Sequence, residues 1–351
     1  MKLLMITRKV DPMDASPAAA TCKLVEKLAG QVDELKVICL EKGNVSGLRN
    51  NIQVGSLGKE KGYGKIRKLI RFKILAWRFI RQVDGVFCHQ NPEYTILISP
   101  YAKLFRKRII TWYTHGTVNW KLHLVNLLTN KILTASKESC RLKNRKKIEI
   151  TGHGIDTARF VKGVETPNEE NFKIISAGRI SPTKDLVTFI KAVDILVNQK
   201  GAKNIKVRII GPAVLKQDEK YRDDLSSMIE NKGLLKYISL SKASYDAMSA
   251  EYQDADLMIN LSQTGSVDKA VLEAMACEDL VLTSNEAFEN ILNDQKLMFE
   301  PENYQELADK IVALMNLSNK EKQKIGQRLR NIVVENHNID NLVKKIVNQF
   351  K

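Results

Sequence analysis

Cysteine is scarce in this sequence, and its few copies are scattered. The chain has five cysteines, an odd number, and none of them forms a C-x2-C pair: Cys22, Cys39, Cys88, Cys140 and Cys277. The pattern indicates neither a disulfide framework nor a zinc site, which favours a reducing compartment. We therefore expect a cytoplasmic protein.

Long apolar runs are missing as well. No run approaches the roughly 20 residues that a membrane-spanning helix needs. The opening segment, MKLLMITRKV, is too short and too soon interrupted by charge for a signal peptide, so it predicts a first buried strand. No acidic D-x-D cluster stands in a suitable loop, and we expect neither a metal nor another cofactor.

Acidic residues are scarce only in the first half of the chain. Residues 1–165 contain 31 Lys and Arg against 13 Asp and Glu, whereas residues 166–351 contain 25 against 27. A strongly basic half favours an anionic partner, which could be a nucleic acid, a phosphorylated substrate or an anionic membrane face. The alternative is a general solubility charge.

Short apolar runs alternate with helical patterns along all 351 residues. This alternation predicts βαβ units with parallel sheets, and hence an α/β protein of two doubly wound, Rossmann-like domains facing a central cleft. The predicted boundaries are 1–165 and 166–335, joined by a polar segment around Pro167, with a terminal helix in 336–351. Ligands of such sheets bind at the carboxyl ends of the strands.

The segment 262–277, SQTGSVDKAVLEAMAC, carries the strongest local signal. It follows a predicted strand and opens a helix near Asp268, so small residues and free backbone N–H groups stand at a helix N-terminus, where anions bind. Glu273 lies where it could bond the hydroxyls of a ribose, unless it is an ordinary exposed helical residue. Asp268 either caps the helix or contacts substrate.

A second basic loop follows the strand predicted at 173–177. Gly178 permits a close approach of the backbone to a ligand, Arg179 offers a planar fork for phosphate, and Lys184 a point charge. Gly211 ends the next strand and would border a nucleotide, or it simply turns the chain.

Polar residues also follow the predicted strands of the first half. His115 comes just after the strand 109–112, and His89 and Asn91 follow the strand 85–88. The loop after the first strand, which runs to Asp14 and Pro17, contains Arg8, Lys9 and Asp11, which either meet an acceptor or cap the turn.

Taken together, these motifs resemble the family-4 glycosyltransferases of the GT-B fold, the bacterial glycosyl group 1 transferases. In that family a Glu-x7-Glu segment ending in EAMA holds the nucleotide-sugar donor, and here LEAMA is present while Gly265 replaces the first Glu. The resemblance implies a donor diphosphate held by Arg179 and Lys184, His115 near the donor sugar, and retention of the anomeric configuration without a metal. It also implies a terminal helix that crosses back to the first domain.

These considerations define three sets of candidate residues. The candidate catalytic residues are His115 and Asp268. The donor-binding candidates are Gly178, Arg179, Lys184, Gly211, Thr264, Gly265, Ser266, Val267, Lys269 and Glu273. The acceptor-binding candidates are Arg8, Lys9, Asp11, His89 and Asn91.

Residues 61–81 contain eight basic and no acidic residues. Apolar residues recur there at helical spacing, namely Ile66, Leu69, Ile70, Ile74, Trp77 and Ile80. A basic amphipathic helix is typical of contact with an anionic membrane surface, so the protein is expected at the inner face of the membrane. Alternatively, the apolar stripe packs on the sheet and leaves a basic outer face.

The predicted function is transfer of a sugar from a nucleotide diphosphate sugar, with UDP or GDP as the nucleotide, to a hydroxyl of a lipid-linked glycan, glycolipid or polysaccharide. Three alternatives remain. The chain could be a catalytically impaired partner subunit, a GT-B enzyme of other chemistry such as an epimerase, or a nucleic-acid-binding protein. The last lacks an evident stacking surface or reading helix, so no nucleic acid is expected.

Overall fold

The chain divides into two compact units in a computed structural model that describes residues 1–13, 19–164, 170–292 and 294–351. Unit 1 comprises Met1–Gly154 and Asn336–Lys351, and unit 2 comprises Ile155–Glu335. The division falls at Gly154 and not at residue 165, because Ile155 and Phe160 are buried in the core of unit 2. Pro167 and the rest of 165–169 in the predicted linker lie outside the described residues.

Unit 1 is built, in its described residues, on a seven-stranded sheet in which all paired strands are parallel. Its strands are β1 (Lys2–Val10), β2 (Glu34–Lys42), β3 (Ile52–Ser56), β4 (Gly85–His89), β5 (Arg108–Trp112), β6 (Lys131–Thr134) and β7 (Ile148–Ile150). Their order in the sheet is β3-β2-β1-β4-β5-β6-β7. The helices are α1 (Ala19–Ala29), α2 (Lys65–Ile80), α3 (Pro92–Leu104), α4 (Trp120–Leu128) and, from the C-terminal segment, α12 (Ile339–Asn348).

Helices cover both faces of this sheet because successive strand residues point to opposite sides. Leu3 and Met5 of β1 enter a core with α1 and α12, whereas Leu4 and Ile6 enter another with α2 and α3. The C-terminal segment is thus part of unit 1: Lys345 Nζ donates to the carbonyl oxygen of Thr151 at 3.2 Å.

Unit 2 has a five-stranded sheet in its described residues, again with parallel pairs. Its strands are β8 (Phe172–Ala177), β9 (Ile205–Ile210), β10 (Ile238–Ser241), β11 (Leu257–Asn260) and β12 (Leu280–Thr283), in the order β10-β9-β8-β11-β12. Its helices are α5 (Leu186–Asp194), α6 (Lys216–Asn231), α7 (Met248–Gln253), α8 (Lys269–Ala276), α9 (Glu289–Leu292), α10 (Tyr304–Met315) and α11 (Asn319–Asn336). Both units are therefore doubly wound, as the sequence predicted.

The strands predicted from the sequence are confirmed, but β3 was missed. Its five residues include Gln53 and Gly55, so neither an apolar run nor a strand pattern stands out. It forms because β2 offers a parallel edge, with Val37 in register with Val54.

All five cysteines lie among the described residues, where each is a buried thiol. In the part of the chain that the structure describes, no helix is both long and apolar enough to cross a membrane.

Candidate functional site

The site in unit 2 lies where the order in which the chain adds strands to the sheet reverses. The chain runs outward from β8 to β9 and β10, then returns to the other side of β8 with β11 and β12. The loops after β8 and β11 therefore flank a topological switch point at the carboxyl edge, where α/β sheets bind their ligands. The backbone N–H of Gln263 joins these loops by donating to the carbonyl oxygen of Thr183 at 3.2 Å.

Lys184 and Asp268 meet at this point, one from each loop. Lys184 Nζ lies 2.9 Å from Asp268 Oδ2 and donates to Ser262 Oγ at 3.1 Å. Asn260 Nδ2 donates to the same Asp268 oxygen at 2.9 Å. The structure thus brings together two residues of different predicted roles, a diphosphate ligand and a catalytic candidate, as an ion pair.

Asp268 occupies the N-cap position of α8, but its side chain accepts no hydrogen bond from the backbone of that helix. Capping was one of the two predicted roles, and the side chain does not perform it because it is turned towards Lys184 and Asn260. The N–H groups of the first turn of α8 are therefore not satisfied by this carboxylate.

Asn260 and Ser262 were not among the predicted site residues. Both are buried, and Asn260 is held by the hydroxyl of Thr283, which donates to Asn260 Oδ1 at 3.1 Å. A signal was available, because Asn260 ends the strand before the segment 262–277 and Ser262 is the first residue of that segment.

Gly178, directly after β8, lies close to Gly211, directly after β9. Gly178 has a φ of 148°, and a Cβ atom added to Gly211 would lie 1.6 Å from the Gly178 carbonyl oxygen. Gly211 thus has a packing role as well as a predicted donor role. Arg179, next in the chain, is half-exposed, and its Nε lies 3.8 Å from Oδ2 of the buried Asp218.

Within the 264–267 segment Thr264 is exposed, whereas Gly265 and Val267 are buried. Gly265 adopts a left-handed φ of 60°, and the hydroxyl of Thr264 lies 3.0 Å from that of Ser262. The Ser266 carbonyl oxygen accepts from Asn285 Nδ2 at 2.8 Å. The side chain of Val267 belongs to the core of unit 2, so only its backbone could contribute to donor binding.

Glu273 is buried, which excludes the alternative of an exposed helical residue. The hydroxyls of Tyr245 and Tyr252 donate to its two carboxylate oxygens, each at 3.4 Å. Desolvation raises the pKa of Glu273 to about 7, against the opposing charge of Lys269. Burial disfavours the charged form of Lys269 as well, four residues earlier on the same helix, and for an amine this lowers the pKa.

The two tyrosines were missed by the sequence analysis. They stand seven residues apart around α7, and no motif marks them. They contact Glu273 only because α7 packs beside α8, a relationship that is not local in sequence. Arg159 extends the cluster, since its Nη2 donates to the Tyr245 carbonyl oxygen at 2.7 Å.

Unit 1 has its own switch point, between β1 and β4. Here Thr7 Oγ1 lies 3.0 Å from His89 Nδ1 across the two strand ends. His89 is only 5% exposed, so it serves first to join the strands. Asn91 stands at the N-cap of α3, and its Nδ2 donates to the Tyr94 hydroxyl at 3.2 Å.

The loop after β1 is described as far as Met13; Asp14 and Pro17 lie outside the described residues. Arg8 is exposed, whereas Lys9 Nζ lies 3.4 Å from Asp11 Oδ2 and 3.6 Å from Glu41 Oε1. Asp11 Oδ1 also accepts from the backbone N–H of Met13 at 3.2 Å, so it caps the turn. Of the three acceptor candidates in this loop, Arg8 has the most exposed side chain.

His115 follows β5 at the same edge of this sheet. Its side chain is exposed, and its ring centroid lies 5.6 Å from that of Tyr113. The structure therefore places this candidate at a strand's carboxyl end, as predicted. Among the described residues, no group of three or more His, Cys, Asp or Glu side chains is arranged to hold a metal ion.

Comparison with known proteins gives one family match. Residues 158–332 match the model of the glycosyl transferases group 1. No curated protein matches the chain in sequence.

Solved structures resemble the whole chain. HepE of Anabaena, in complex with UDP and glucose, is 15% identical with a TM-score of 0.78, over 99% of each chain. A glycosyltransferase from Rickettsia africae is 16% identical with a TM-score of 0.78, over 100% of this chain and 98% of that one. Sucrose-phosphate synthase of Thermosynechococcus elongatus is 11% identical with a TM-score of 0.79, again over 100% and 98%.

The matched residues cover nearly all of unit 2, including Lys184, Asp268 and Glu273, and the structural likeness extends over both units. Residues 158–332 of this chain therefore belong to the glycosyl transferases of group 1, and its two Rossmann-like units are those of the GT-B fold.

Proposed function

We propose that this protein is a glycosyltransferase that moves a sugar from a nucleotide diphosphate sugar to an acceptor hydroxyl. The observation that carries the proposal is the position of Lys184 at the switch point of unit 2, beside the N-terminus of α8. A cation and a row of backbone N–H groups suit a diphosphate at that place. The match to the group 1 family covers the same residues.

Each group of site residues is assigned to one part of the donor. Lys184, the hydroxyls of Thr264 and Ser266 and the first turn of α8 stabilise the leaving diphosphate with charge and dipoles. Arg179 adds a half-exposed guanidinium from the loop after β8. Glu273, oriented by the two tyrosine hydroxyls, is assigned to the ribose.

The donor is proposed to be a UDP- or GDP-sugar. HepE, which shares the fold, has been crystallised with UDP and with UDP-glucose. We extend the proposal to transfer with retention and without a resident metal ion. Turnover that is unchanged by a chelator, and a product with the donor's anomeric configuration, would support those two points.

A thermal-shift panel tests the donor class. UDP, GDP, ADP, CMP and dTDP, each with its common sugars, are added to the purified protein. A shift with one nucleotide identifies the donor class, and an acceptor search in membrane extracts then follows. Absence of a shift with every nucleotide would contradict the proposal.

The acceptor is proposed to be held at an anionic membrane, on the evidence of α2. The helix contains six basic and no acidic residues, and its buried side chains are Phe72, Ala76, Phe79 and Ile80. Of the predicted apolar stripe only Ile80 is buried. Ile66, Ile70 and Ile74 are 78, 52 and 61% exposed, so the alternative in which the stripe packs on the sheet is wrong.

Neighbouring helices extend this surface. Helices α2 and α3 contribute to one core on the same face of the sheet, and Trp77 stacks edge-on against Phe105 with ring centroids 5.4 Å apart. Leu104, Trp120 and Leu127, from α3 and α4, are also exposed. Exposed apolar side chains, beside a helix that carries six basic residues, suit insertion at the boundary of anionic headgroups.

Sedimentation with lipid vesicles tests the membrane contact. The protein should bind phosphatidylglycerol vesicles and ignore phosphatidylcholine vesicles. Ile70→Glu and Ile74→Glu should release it, whereas Leu235→Glu, at an exposed apolar residue of unit 2, should not. Equal binding by all variants would contradict the assignment to α2.

One observation favours a second function, that of a catalytically impaired partner subunit. Gly265 stands where the family's first Glu would supply a carboxylate, and its φ of 60° suits glycine. Nucleotide binding without any turnover, across donors and membrane acceptors, would favour this function.

A further inference from the structure

The ion pair between Lys184 and Asp268 has a consequence for ligand binding. The two side chains are 19% and 20% exposed, so solvent screens their interaction less than it would at the surface. Lys184, the proposed phosphate ligand, is thus already paired with a carboxylate of its own chain, that of Asp268. We propose that Asp268 is a gate that competes with the donor's diphosphate for Lys184. The inference rests on the proposed function in placing that diphosphate at Lys184.

The carboxylate is held in this competing position by buried groups. Asn260 is 3% exposed, and its Nδ2 donates to the same Asp268 oxygen that faces Lys184. The fully buried Thr283 hydroxyl fixes the amide of Asn260 from the other side. A chain of hydrogen bonds thus leads from the interior of the sheet to the carboxylate, and it holds Asp268 away from its own helix.

Of the two side chains, Asp268 has the stronger additional hydrogen-bond partner. The other contact of Lys184, the hydroxyl of Ser262, is uncharged, whereas Asp268 has a second buried donor. A diphosphate entering the switch point would draw Lys184 from Asp268 and leave the carboxylate with Asn260. Binding therefore has to offset a charge-assisted hydrogen bond and the repulsion between Asp268 and the incoming phosphate.

Neutralising Asp268 should therefore tighten the binding of diphosphates. In Asp268→Asn the side chain keeps its shape and can still accept from Asn260, but it no longer holds Lys184 by charge. We expect affinity for inorganic pyrophosphate and for UDP or GDP to rise at least about tenfold, the usual effect of one charge-assisted hydrogen bond. The matched control is Asp309→Asn, which also breaks a lysine pair of unit 2, with Lys200 at 2.6 Å, but on α10.

Titration calorimetry with pyrophosphate on the full chain is the experiment. It compares wild type, Asp268→Asn, Lys184→Met and the double variant. The gate requires tightening in Asp268→Asn that disappears when Lys184 is also replaced, with Asp309→Asn unchanged. Binding by Asp268→Asn alone, with none by wild type, would also support it.

Three results would overturn the gate: unchanged or weaker binding in Asp268→Asn, equal tightening with and without Lys184, and no binding by any variant. Equal tightening with and without Lys184 would mean that Asp268 simply repels the phosphate and does not compete with it for Lys184. Repeating the titration with nucleotides separates the two proposals. If pyrophosphate binds as expected but no nucleotide binds, the proposed function is contradicted and the gate is supported. If nucleotides bind but Asp268→Asn does not tighten their binding, the gate is contradicted and the proposed function is supported.

Discussion

The hydroxyl of Tyr252 donates to the carboxylate of Glu273 across 3.4 Å inside unit 2, although the two residues are 21 positions apart. Both side chains are buried, and the charge of Glu273 raises the pKa of Tyr252 in addition to the larger effect of burial. Glu273 was predicted only as a ligand-binding residue, but through this contact it also takes part in the packing of α7 against α8.

Replacing Glu273 should change how stability depends on pH. Because its folded pKa is about 7 and its ordinary value is 4.5, the folded state binds the extra proton, and stability falls as pH rises from 4.5 to 7. Glu273→Gln should remove this loss and gain up to about 3 kcal/mol at pH 8, with little gain near pH 4.5. Urea unfolding at the two pH values measures it, with the exposed Glu230→Gln as control; a gain that does not depend on pH would contradict it.

His337 should make the stability of unit 1 fall towards low pH, the opposite of the effect of Glu273. Its Nδ1 accepts the backbone N–H of His153 at 3.0 Å, and burial lowers its pKa to about 4. Since the unfolded chain takes up the proton first, stability should fall as pH drops from 6.5 to 4, by up to about 3 kcal/mol. His337→Asn, which can keep the acceptor without titrating, should flatten the profile; parallel profiles for the two proteins would argue against this.

Two substitutions on α2 should differ sharply in their cost. Phe72 is 2% exposed, so Phe72→Ala leaves a cavity and should cost about 3–5 kcal/mol of unfolding free energy. Ile70 is 52% exposed, and Ile70→Ala should stay within about 0.5 kcal/mol. Equal losses in chemical denaturation would show that the exposed stripe is packed after all.

Gly211 should not tolerate a side chain. A Cβ there would lie 1.6 Å from the Gly178 carbonyl oxygen, so β9 and the loop after β8 would have to separate. Gly211→Ala should cost at least about 2 kcal/mol and weaken nucleotide binding. Gly47→Ala, whose Cβ would meet no atom within 4 Å, is the control, and thermal unfolding compares the two.

Lys184 should be required for donor binding. Lys184→Met removes the charge that faces the switch point and should lower nucleotide diphosphate affinity at least about tenfold, with a far smaller effect on the free nucleoside. Calorimetry with the diphosphate and its nucleoside makes the comparison. Full diphosphate affinity in the variant would remove Lys184 from the site.

Much of the fold could be predicted because parallel strands buried on both faces appear as short apolar runs. The strands predicted at 85–88 and 109–112 lie within β4 and β5, whereas β3 contains Gln53 and Gly55 and depends on its neighbour β2. The carboxyl edge of each sheet, where Lys184 lies in unit 2 and His115 in unit 1, also followed from the sequence, since each residue comes after a predicted strand.

The sequence by itself determined the doubly wound units, the basic first half and the motifs at the strand ends, because these depend on local pattern and composition. The tertiary structure alone decided that Asp268 faces Lys184 and not its own helix, that two tyrosines hold Glu273, and that the stripe of α2 faces outwards. Each of these depends on which distant side chain fills the adjacent space, and spacing along a single helix or loop carries no information about that.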